Sequence, residues 1–556
     1  MTTDRADISR PWFLGLLALL LAVAAAVGLH TALAPRPLET HEVFVAQTVR
    51  EMLARGDYLV PTFGGELRLK KPPLMYWSVA ALAGITGRSD IPEFVARVPS
   101  AIASLLLIAA CVFIGARVFD RRTGLLAGAI LAFSAGVFEY AGNARPEMLY
   151  AACSAAGIAA FIAALRSPNR SLAWAMGGWA LFGLALLAKG PQLPLLMLLG
   201  FAGYVLAAHG VRECLRAVRP ARGLLVMLLV AAPWVFAVAS RVDGAADIWK
   251  NELIGLRFGG SDDTPESTSG LVAWLLEVLK PKYLLYLMST LLPWGALVPL
   301  GALLVWDRRR PEHRAARDVF FALAGAVLGL SLASHSRDYY LLPALPLMAV
   351  LIARAAIDLL DRAAARRSKL PIVLLILVAL GGLGFGVGVR AYDGVGVRDI
   401  ILLTAAYLAA AIVVLAIARH MPLGRAPTAL AAALAAWAVA FGVVGHEPVL
   451  FSERRMRVDE IARQAAAASA PALPVVAIDF DPNDLIYRLA RPARPIDASA
   501  TAADIAALAP CVLVAPPDAL DRLAAQGLTL RRADPVTIRK GTVFVVATVE
   551  RPPPRP

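Results

Sequence analysis

Residues 171–209 read SLAWAMGGWALFGLALLAKGPQLPLLMLLGFAGYVLAAH. Two apolar runs, centred near Leu181 and Leu199, are parted only by Ala188-Lys-Gly-Pro191. Each is close to the roughly 20 mostly apolar residues that a helix needs to cross the hydrocarbon core of a bilayer. Reading outward on the same criterion gives about thirteen runs, centred near Leu20, Leu107, Ile130, Ala156, Leu181, Leu199, Val230, Leu292, Leu323, Leu347, Ile376, Ala409 and Ala436. The composition agrees: 59% of residues are hydrophobic and only 17% charged, with mean hydropathy +0.65. Soluble domains carry about a quarter charged residues, so most of this chain's surface belongs in lipid. The expected fold is an α-helical polytopic membrane protein.

The net charge of +14 invites a nucleic-acid reading, which the placement of the charge removes. Basic residues that grip phosphate backbones cluster on one domain. Here they fall in short loops between apolar runs, the distribution of the positive-inside rule. With the N-terminus inside, seven successive cytoplasmic loops carry Arg5/Arg10, Arg117/Arg121/Arg122, Arg166/Arg170, Arg212/Arg216/Arg219/Arg222, Arg308 to Arg317, Arg362 to Lys369, and Arg419/Arg425. The alternate short loops are poorer in Lys and Arg, and thirteen spans bring the C-terminus outside. The first run, Pro11 to Ala34, lacks a small-residue cleavage site and reads as a retained signal anchor. Cys111, Cys153, Cys214 and Cys511 form no CxxC pair, zinc cluster or disulfide framework.

Two outside loops are too long for plain connections. In the first, residues 35–97, Val43, Ala46, Val49, Met52 and Leu53 recur at helical spacing among Glu42, Arg50, Glu51 and Arg55. The pattern predicts an amphipathic helix lying in the membrane interface. The second, residues 240–283, holds the turn-rich stretch GGSDDTPESTSG at 259–270. From about Glu447 the pattern changes to short buried strands at Val475–Asp479, Cys511–Ala515 and Thr542–Val546, with Ala/Leu-rich helical runs between. The expected organisation is a membrane domain at 1–446, which includes both loops, followed by a small extracytoplasmic α/β domain at 447–556.

Ionisable groups near spanning segments are costly and are kept for function or pairing. On the predicted outside face lie Glu39-Thr-His-Glu42, Lys70-Lys-Pro-Pro73, Asn143-Ala-Arg-Pro-Glu147, Lys189-Gly-Pro191 and His335-Ser-Arg-Asp-Tyr-Tyr340. Taken singly, each has a plain explanation. Glu147 complements a helix dipole, Lys70 and Lys71 are snorkelling lysines, Arg337 and Asp338 pair in a loop, and His41 and His335 are unrelated histidines. Their convergence on one face is what points to an active site.

Together these segments resemble a known family. His41-Glu-Val-Phe-Val-Ala-Gln-Thr-Val-Arg-Glu-Met-Leu53, Gly56-Asp-Tyr-Leu-Val-Pro61 and Lys70-Lys-Pro-Pro-Leu-Met-Tyr-Trp77 are similar to the first outside loop of bacterial aminoarabinose transferases. Those are GT-C membrane glycosyltransferases, as are the protein O-mannosyltransferases. The likeness continues through Ala96-Arg-Val-Pro-Ser-Ala101, Arg145-Pro-Glu-Met-Leu149, Lys189-Gly-Pro191 and Tyr339-Tyr-Leu-Leu-Pro-Ala-Leu-Pro346. It implies a GT-C-like fold in a bacterial inner membrane, with Glu42 and Glu147 as catalytic carboxylates, Glu39 as a weaker candidate, and Lys71 facing the carrier phosphate. Three departures stand out. His41-Glu42 replaces the family's Asp-Glu, Lys70 replaces the acid before Lys-Pro-Pro, and the second long loop has no histidine. The last two weaken any transfer of the family's metal site, so a divalent metal and the identity of the sugar both stay open.

The implied reaction moves a sugar from a polyprenyl-phosphate carrier to a lipid A, glycan or protein acceptor, with inversion at the anomeric carbon. It needs a carboxylate to take the acceptor's proton and cations to hold the departing phosphate. Glu42 or Glu147 suits the first task; Lys71 and Arg337, with Lys70 or Lys189, suit the second. Arg145, Tyr339, Tyr340, His41 and His335 are the further candidates. A transporter or flippase of a lipid-linked substrate is the alternative, and it would call for midplane charges and internal repeats. Mid-span charges are few and no repeat is visible. A non-enzymatic scaffold leaves the long first loop unexplained.

The charge alternation generates a direct test. A reporter fused after Val449 should be active only if it works outside the cytoplasm. Strong activity there from a cytoplasm-only reporter would overturn the orientation.

Overall fold

The computed structural model of the chain describes residues 8–33, 37–251, 282–292, 294–304, 312–332, 337–366, 453–468, 473–489, 491–539 and 542–550. These fall into two compact units. One comprises the described residues within Met1–Leu33, Leu69–Met75 and Arg97–His446; the other comprises those within Ala34–Arg68, Tyr76–Ala96 and Glu447–Pro556. The first long loop thus packs mainly with the C-terminal segment.

Among the described residues of the first unit and its continuous helices, seven are long and apolar enough to cross a membrane: Arg10–Leu33, Glu93–Val118, Glu147–Arg166, Pro168–Ala188, Gln192–His209, Val211–Ala239 and Asp338–Leu359. They contain the expected centres at Leu20, Leu107, Ala156, Leu181, Leu199, Val230 and Leu347. The centre at Ile130 falls in a broken pair, Arg121–Ala132 and Ala135–Ala141, bent by 61°. Leu292 lies where helix Lys282–Thr290 gives way to the 3-10 turn Trp294–Leu297 and helix Val298–Leu304. Leu323 lies within helix Glu312–Ser331. The centres at Ile376, Ala409 and Ala436, and most of the second long loop, lie outside the described residues.

The two runs read at the outset are separate helices. Helix Ser171–Ala188 closes at Lys189, and Gly190 adopts φ 140°, a conformation that favours glycine. Pro191 then supplies no N–H to continue the ladder. The next helix, Gln192–His209, meets Glu312–Ser331 backbone to backbone. A Cβ on Gly200 would lie 2.1 Å from the Phe321 carbonyl oxygen, and one on Gly325 would lie 2.3 Å from that of Leu196. Small residues at such crossings let helices approach where no hydrophobic effect drives them together.

The basic loops meet at one end of the bundle. Arg166, closing helix Glu147–Arg166, pairs with Asp318 at 2.8 Å; His209, closing Gln192–His209, reaches the same carboxylate at 3.9 Å. Arg354 bridges Asp120 and Asp358 at 2.9 and 2.8 Å, and Arg122 pairs with Asp361 at 3.3 Å. Arg216 donates to the Leu165 carbonyl and Trp179 to that of Val218. Among the described residues, basic loops that the sequence groups by charge are therefore joined in space.

In the second unit, helix Thr40–Arg55 leads to a hairpin of β1 (Thr62–Phe63) and β2 (Glu66–Leu67). The C-terminal segment forms a sheet from β3 (Val475–Ile478), β4 (Ala493–Ile496), β5 (Cys511–Ala515), β6 (Leu530–Arg532), β7 (Val536–Arg539) and β8 (Thr542–Val549). The order is β4-β3-β5-β8-β6, with β7 also on β8. The β3 strand runs parallel to β4 and β5, whereas β8 runs antiparallel to its three neighbours. Helices such as Pro482–Leu489 and Pro517–Ala525 connect the strands.

The glycine crossing generates the second test. Gly325→Val should push the two helices apart and cost at least about 1–3 kcal/mol as overpacking. Its measure is a lower thermal midpoint and less monodisperse protein in detergent. Gly203→Ala is the control, because a Cβ there meets nothing within 4 Å; equal behaviour of the two variants would remove the crossing from the account.

Candidate functional site

The end of the bundle opposite the basic loops holds a second group of charges. Glu147 opens helix Glu147–Arg166 behind Pro146, in a turn closed by Arg145 N–H donating to the Asn143 carbonyl at 2.8 Å. A carboxylate at this position complements the helix dipole, which accounts for its place but not for its burial. Its side chain is 6% exposed. Lys189 caps helix Ser171–Ala188 at the same end, because the two helices run antiparallel through a short turn at Ser167–Arg170. The Lys189 Nζ lies 3.1 Å from Glu147 Oε1, and Arg145 Nε lies 3.4 Å from Oε2. One buried carboxylate thus holds two cations.

Aromatic rings enclose those cations. Lys189 Nζ stands 4.6 Å from the Tyr339 ring centre, 4.9 Å from that of Tyr340 and 5.9 Å from that of Tyr150. The Arg145 guanidinium lies 4.8 Å from the Tyr339 ring and 5.5 Å from that of Tyr140. Such contacts are favourable through the ring quadrupole and strengthen when water is excluded. Tyr339 and Tyr340 sit on a 3-10 turn, Asp338–Ala344. Pro343 and Pro346 lack the N–H groups that a regular α-helix start would use beyond its first turn. The Ser100 hydroxyl donates to the Arg145 carbonyl at 3.3 Å, tying the turn to helix Glu93–Val118. Burial draws the Lys189 ammonium below the usual lysine range; Glu147 opposes this, while Lys71 and Arg145 pull the same way.

The structure therefore brings together Glu147, Lys189, Arg145, Tyr339 and Tyr340, with Lys71 close enough to act on Lys189 electrostatically. Lys71 is half-buried and Lys70 exposed, and the two lie in a turn and bend rather than on the extended chain that the prolines suggest. Arg337 is exposed at the start of the tyrosine turn and acts on Tyr339 through its charge. His335 lies outside the described residues.

Glu39, His41 and Glu42 belong to the other unit. Glu42 is wholly buried, and its Oε2 accepts from the Glu39 N–H at 2.9 Å, securing the start of helix Thr40–Arg55. His41 is exposed and packs near Phe44. That helix buries Val43, Val45, Ala46, Val49 and Met52 almost completely, so its apolar stripe serves protein packing rather than a lipid interface. Among the described residues, no three His, Cys, Asp or Glu side chains are grouped to hold a metal.

Three residues escape a reading of motifs. Tyr150 lies one turn beyond Glu147, on the same helix face, and its hydroxyl accepts from the Leu193 N–H at 3.2 Å. Only that i, i+3 spacing could have flagged it. Tyr140 is brought in by the bent helix Ala135–Ala141, a bend that no local pattern announces. Arg97, the largest wholly buried side chain among the described residues, sits inside the Ala96–Ala101 motif, where an arginine within a spanning helix is itself the signal.

Comparison with known proteins follows the same lines. Residues 70–236 match the family model described as dolichyl-phosphate-mannose-protein mannosyltransferase. An undecaprenyl phosphate-alpha-4-amino-4-deoxy-L-arabinose arabinosyl transferase of Pseudomonas aeruginosa is 30% identical over 370 residues, covering 63% of this chain and 62% of that protein. One from Pseudomonas fluorescens is 28% identical over 349 residues, covering 60% and 57%. The chain thus spans about three-fifths of the length of these relatives. Among solved structures, ArnT from Cupriavidus metallidurans bound to undecaprenyl phosphate superposes with a TM-score of 0.73 at 20% identity, covering 96% of this chain and 98% of that one. An oligosaccharyltransferase from Archaeoglobus fulgidus gives 0.51 at 14% identity, covering 91% and 70%. The chain is therefore a multi-pass membrane protein that shares the fold of these GT-C structures.

Proposed function

We propose that this protein transfers a sugar from a polyprenyl-phosphate carrier to an acceptor at the extracytoplasmic face of a bacterial inner membrane. The buried cluster of Glu147, Lys189 and Arg145, roofed by Tyr339 and Tyr340, carries this reading. The N-terminus would lie in the cytoplasm and the C-terminal sheet outside it. A pentose on undecaprenyl phosphate is the donor class that the named relatives suggest, and lipid A is the first acceptor to examine.

In the proposed step, an acceptor hydroxyl attacks the anomeric carbon as the bond from that carbon to the phosphate oxygen breaks. The hydroxyl proton passes to a carboxylate, the carrier phosphate departs with the bonding electron pair, and the configuration inverts. Lys71, Lys189 and Arg337 would hold the phosphate, with Lys70 in a lesser role. Glu147 and, by the motif match, Glu42 would supply the carboxylates, one as base and the other to orient the reacting groups. Charged groups gathered at a bundle end, rather than lining its middle, favour this over transport. The deciding experiment is mass spectrometry of lipid A, other envelope glycans and proteins from cells with and without the gene. A missing pentose or hexose adduct is expected, and unchanged glycans with altered sidedness of a lipid-linked sugar would favour a flippase.

Two sets of variants test the site. Glu147→Gln and Glu42→Gln should each cut transfer by about 10²–10⁴, the usual cost of losing a general base, while insertion into the membrane persists. Near-normal turnover in both would remove the carboxylate assignment. The lysines should divide sharply. Lys71→Ala should weaken undecaprenyl phosphate binding severely through loss of a charge-assisted partner, and Lys70→Ala only mildly. Lys70→Glu asks whether the acid of the related enzymes is tolerated there; small and equal effects at both lysines would make them interface residues.

A further inference from the structure

The helix that bears Glu42 is gripped by the C-terminal sheet domain, at a place that neither the motif match nor the reacting groups explain. Arg50 lies two turns beyond Glu42. Its Nη1 donates to the Tyr487 carbonyl at 2.8 Å and to Gln47 Oε1 at 2.8 Å, and its guanidinium stands 4.6 Å from the centre of the Tyr487 ring. The Tyr487 hydroxyl in turn donates to the Ile91 carbonyl at 2.9 Å, just ahead of helix Glu93–Val118. Tyr487 thus joins three segments: helix Thr40–Arg55, the approach to helix Glu93–Val118, and its own helix Pro482–Leu489.

That helix is itself anchored. Arg488 forms an ion pair with Asp459 of helix Glu453–Ala468, and Ile486 lies against Gly64, where a Cβ would stand 3.3 Å from its Cδ1. The hairpin bearing Gly64 is held by the neighbour of Arg50. Glu51 accepts from Thr62 Oγ1 at 2.5 Å, from Gly64 N–H at 2.7 Å and from Gln47 Nε2 at 2.9 Å. Nearer Glu42, the Arg68 guanidinium lies 3.6 Å from the Phe44 ring centre and hydrogen-bonds Tyr76, which also bonds Thr48. The helix is therefore fixed at two points along its length.

We propose that Arg50 and Tyr487 are positioning residues for Glu42, through which the C-terminal domain sets the roll and axial position of helix Thr40–Arg55. The inference rests on the reading of Glu42 as a reacting carboxylate. A helix rises about 1.5 Å per residue, so Arg50 stands about 12 Å along the axis from Glu42, short enough for a stiff rod to carry a displacement. Misplacing a reacting group by about 1 Å costs on the order of 10² in rate.

The test uses the full chain with Arg50→Ala, Tyr487→Ala, Tyr487→Phe, the Arg50→Ala/Tyr487→Ala double variant, and Glu42→Gln. Product formation is followed by mass spectrometry of cells at matched protein levels; binding of undecaprenyl phosphate and the thermal midpoint are measured on purified protein. Each alanine variant should lose roughly ten- to hundredfold in product formation, with undecaprenyl phosphate affinity and thermal midpoint near wild type. The double variant should be no slower than the slower single one, as for two groups acting through one contact. Tyr487→Phe, which keeps the ring over Arg50 and the backbone acceptor, should retain most of the rate. Wild-type rates in the alanine variants, multiplied losses in the double variant, or a rate that falls only together with the thermal midpoint would each overturn the proposal. An active Glu42→Gln would sink the carboxylate reading and this inference with it; an inactive Glu42→Gln beside active alanine variants would sink this inference alone.

Discussion

The bundle is organised around a carboxylate that cannot stay buried alone. An unpaired charge in an apolar interior costs several kcal/mol, and Glu147 is almost wholly enclosed. Its retention demands partners, which come from two places in the chain: Arg145 on the same turn and Lys189 at the end of the following α-helix, 3.1 Å away in space. The antiparallel hairpin Glu147–Arg166/Ser171–Ala188 can supply Lys189 only if the connecting turn is short and both helices have matched lengths. The packing of Gly157 against Phe182 and of Gly178 against Phe161 keeps that hairpin close. The electrostatic need at one end therefore constrains helix length and contact along the whole pair.

The same hairpin separates two kinds of charge. At the end with Arg166, ion pairs such as Arg166–Asp318 and Arg354–Asp120 link neighbouring helices. At the other end Lys189 and Arg145 share Glu147 and are covered by aromatic faces. Rings can stabilise a cation without neutralising it, whereas a carboxylate partner cancels its field. One end links helices through separate ion pairs, and the other gathers two cations on one carboxylate beneath aromatic rings.

Much of this is legible in the chain. Length and polarity mark the spans because the bilayer imposes a fixed thickness, and the spacing of basic loops records which ends meet. Glu147, Lys189 and Arg145 stand out because ionisable groups beside apolar runs are expensive. What the chain does not announce is set by tertiary context. The bend between Arg121–Ala132 and Ala135–Ala141 turns Tyr140 toward Arg145, and nothing local demands it. The amphipathic stripe of Thr40–Arg55 has the same periodicity whether it meets lipid or protein, so periodicity alone could not exclude the interface. In the sheet, the buried strands at Val475, Cys511 and Thr542 are apolar runs. By contrast, β4 carries Arg494 and Pro495 and β6 carries Arg531 and Arg532, as suits edge strands whose pattern is masked by exposure.

The balance of charge bears on how the proposed reaction would be accelerated. A sugar joined to a polyprenyl phosphate is a phosphodiester with a single negative charge. As the bond to the anomeric carbon breaks, the departing phosphate gains a second. Lys189 and Arg145 are already oriented by Glu147, and Lys71 adds to the field felt at Lys189. In the resting site part of that field is spent on Glu147. In the proposed reaction an arriving phosphate would compete for the same cations, and its claim would strengthen as charge develops on it. The interaction would therefore grow between ground state and transition state, which is the condition for raising turnover rather than affinity alone. The same competition would loosen the hold on Glu147 when a proton must be accepted. A carboxylate shared with a phosphate clamp would thus link leaving-group stabilisation to proton acceptance, and burial under the tyrosines would strengthen both effects by lowering the local dielectric.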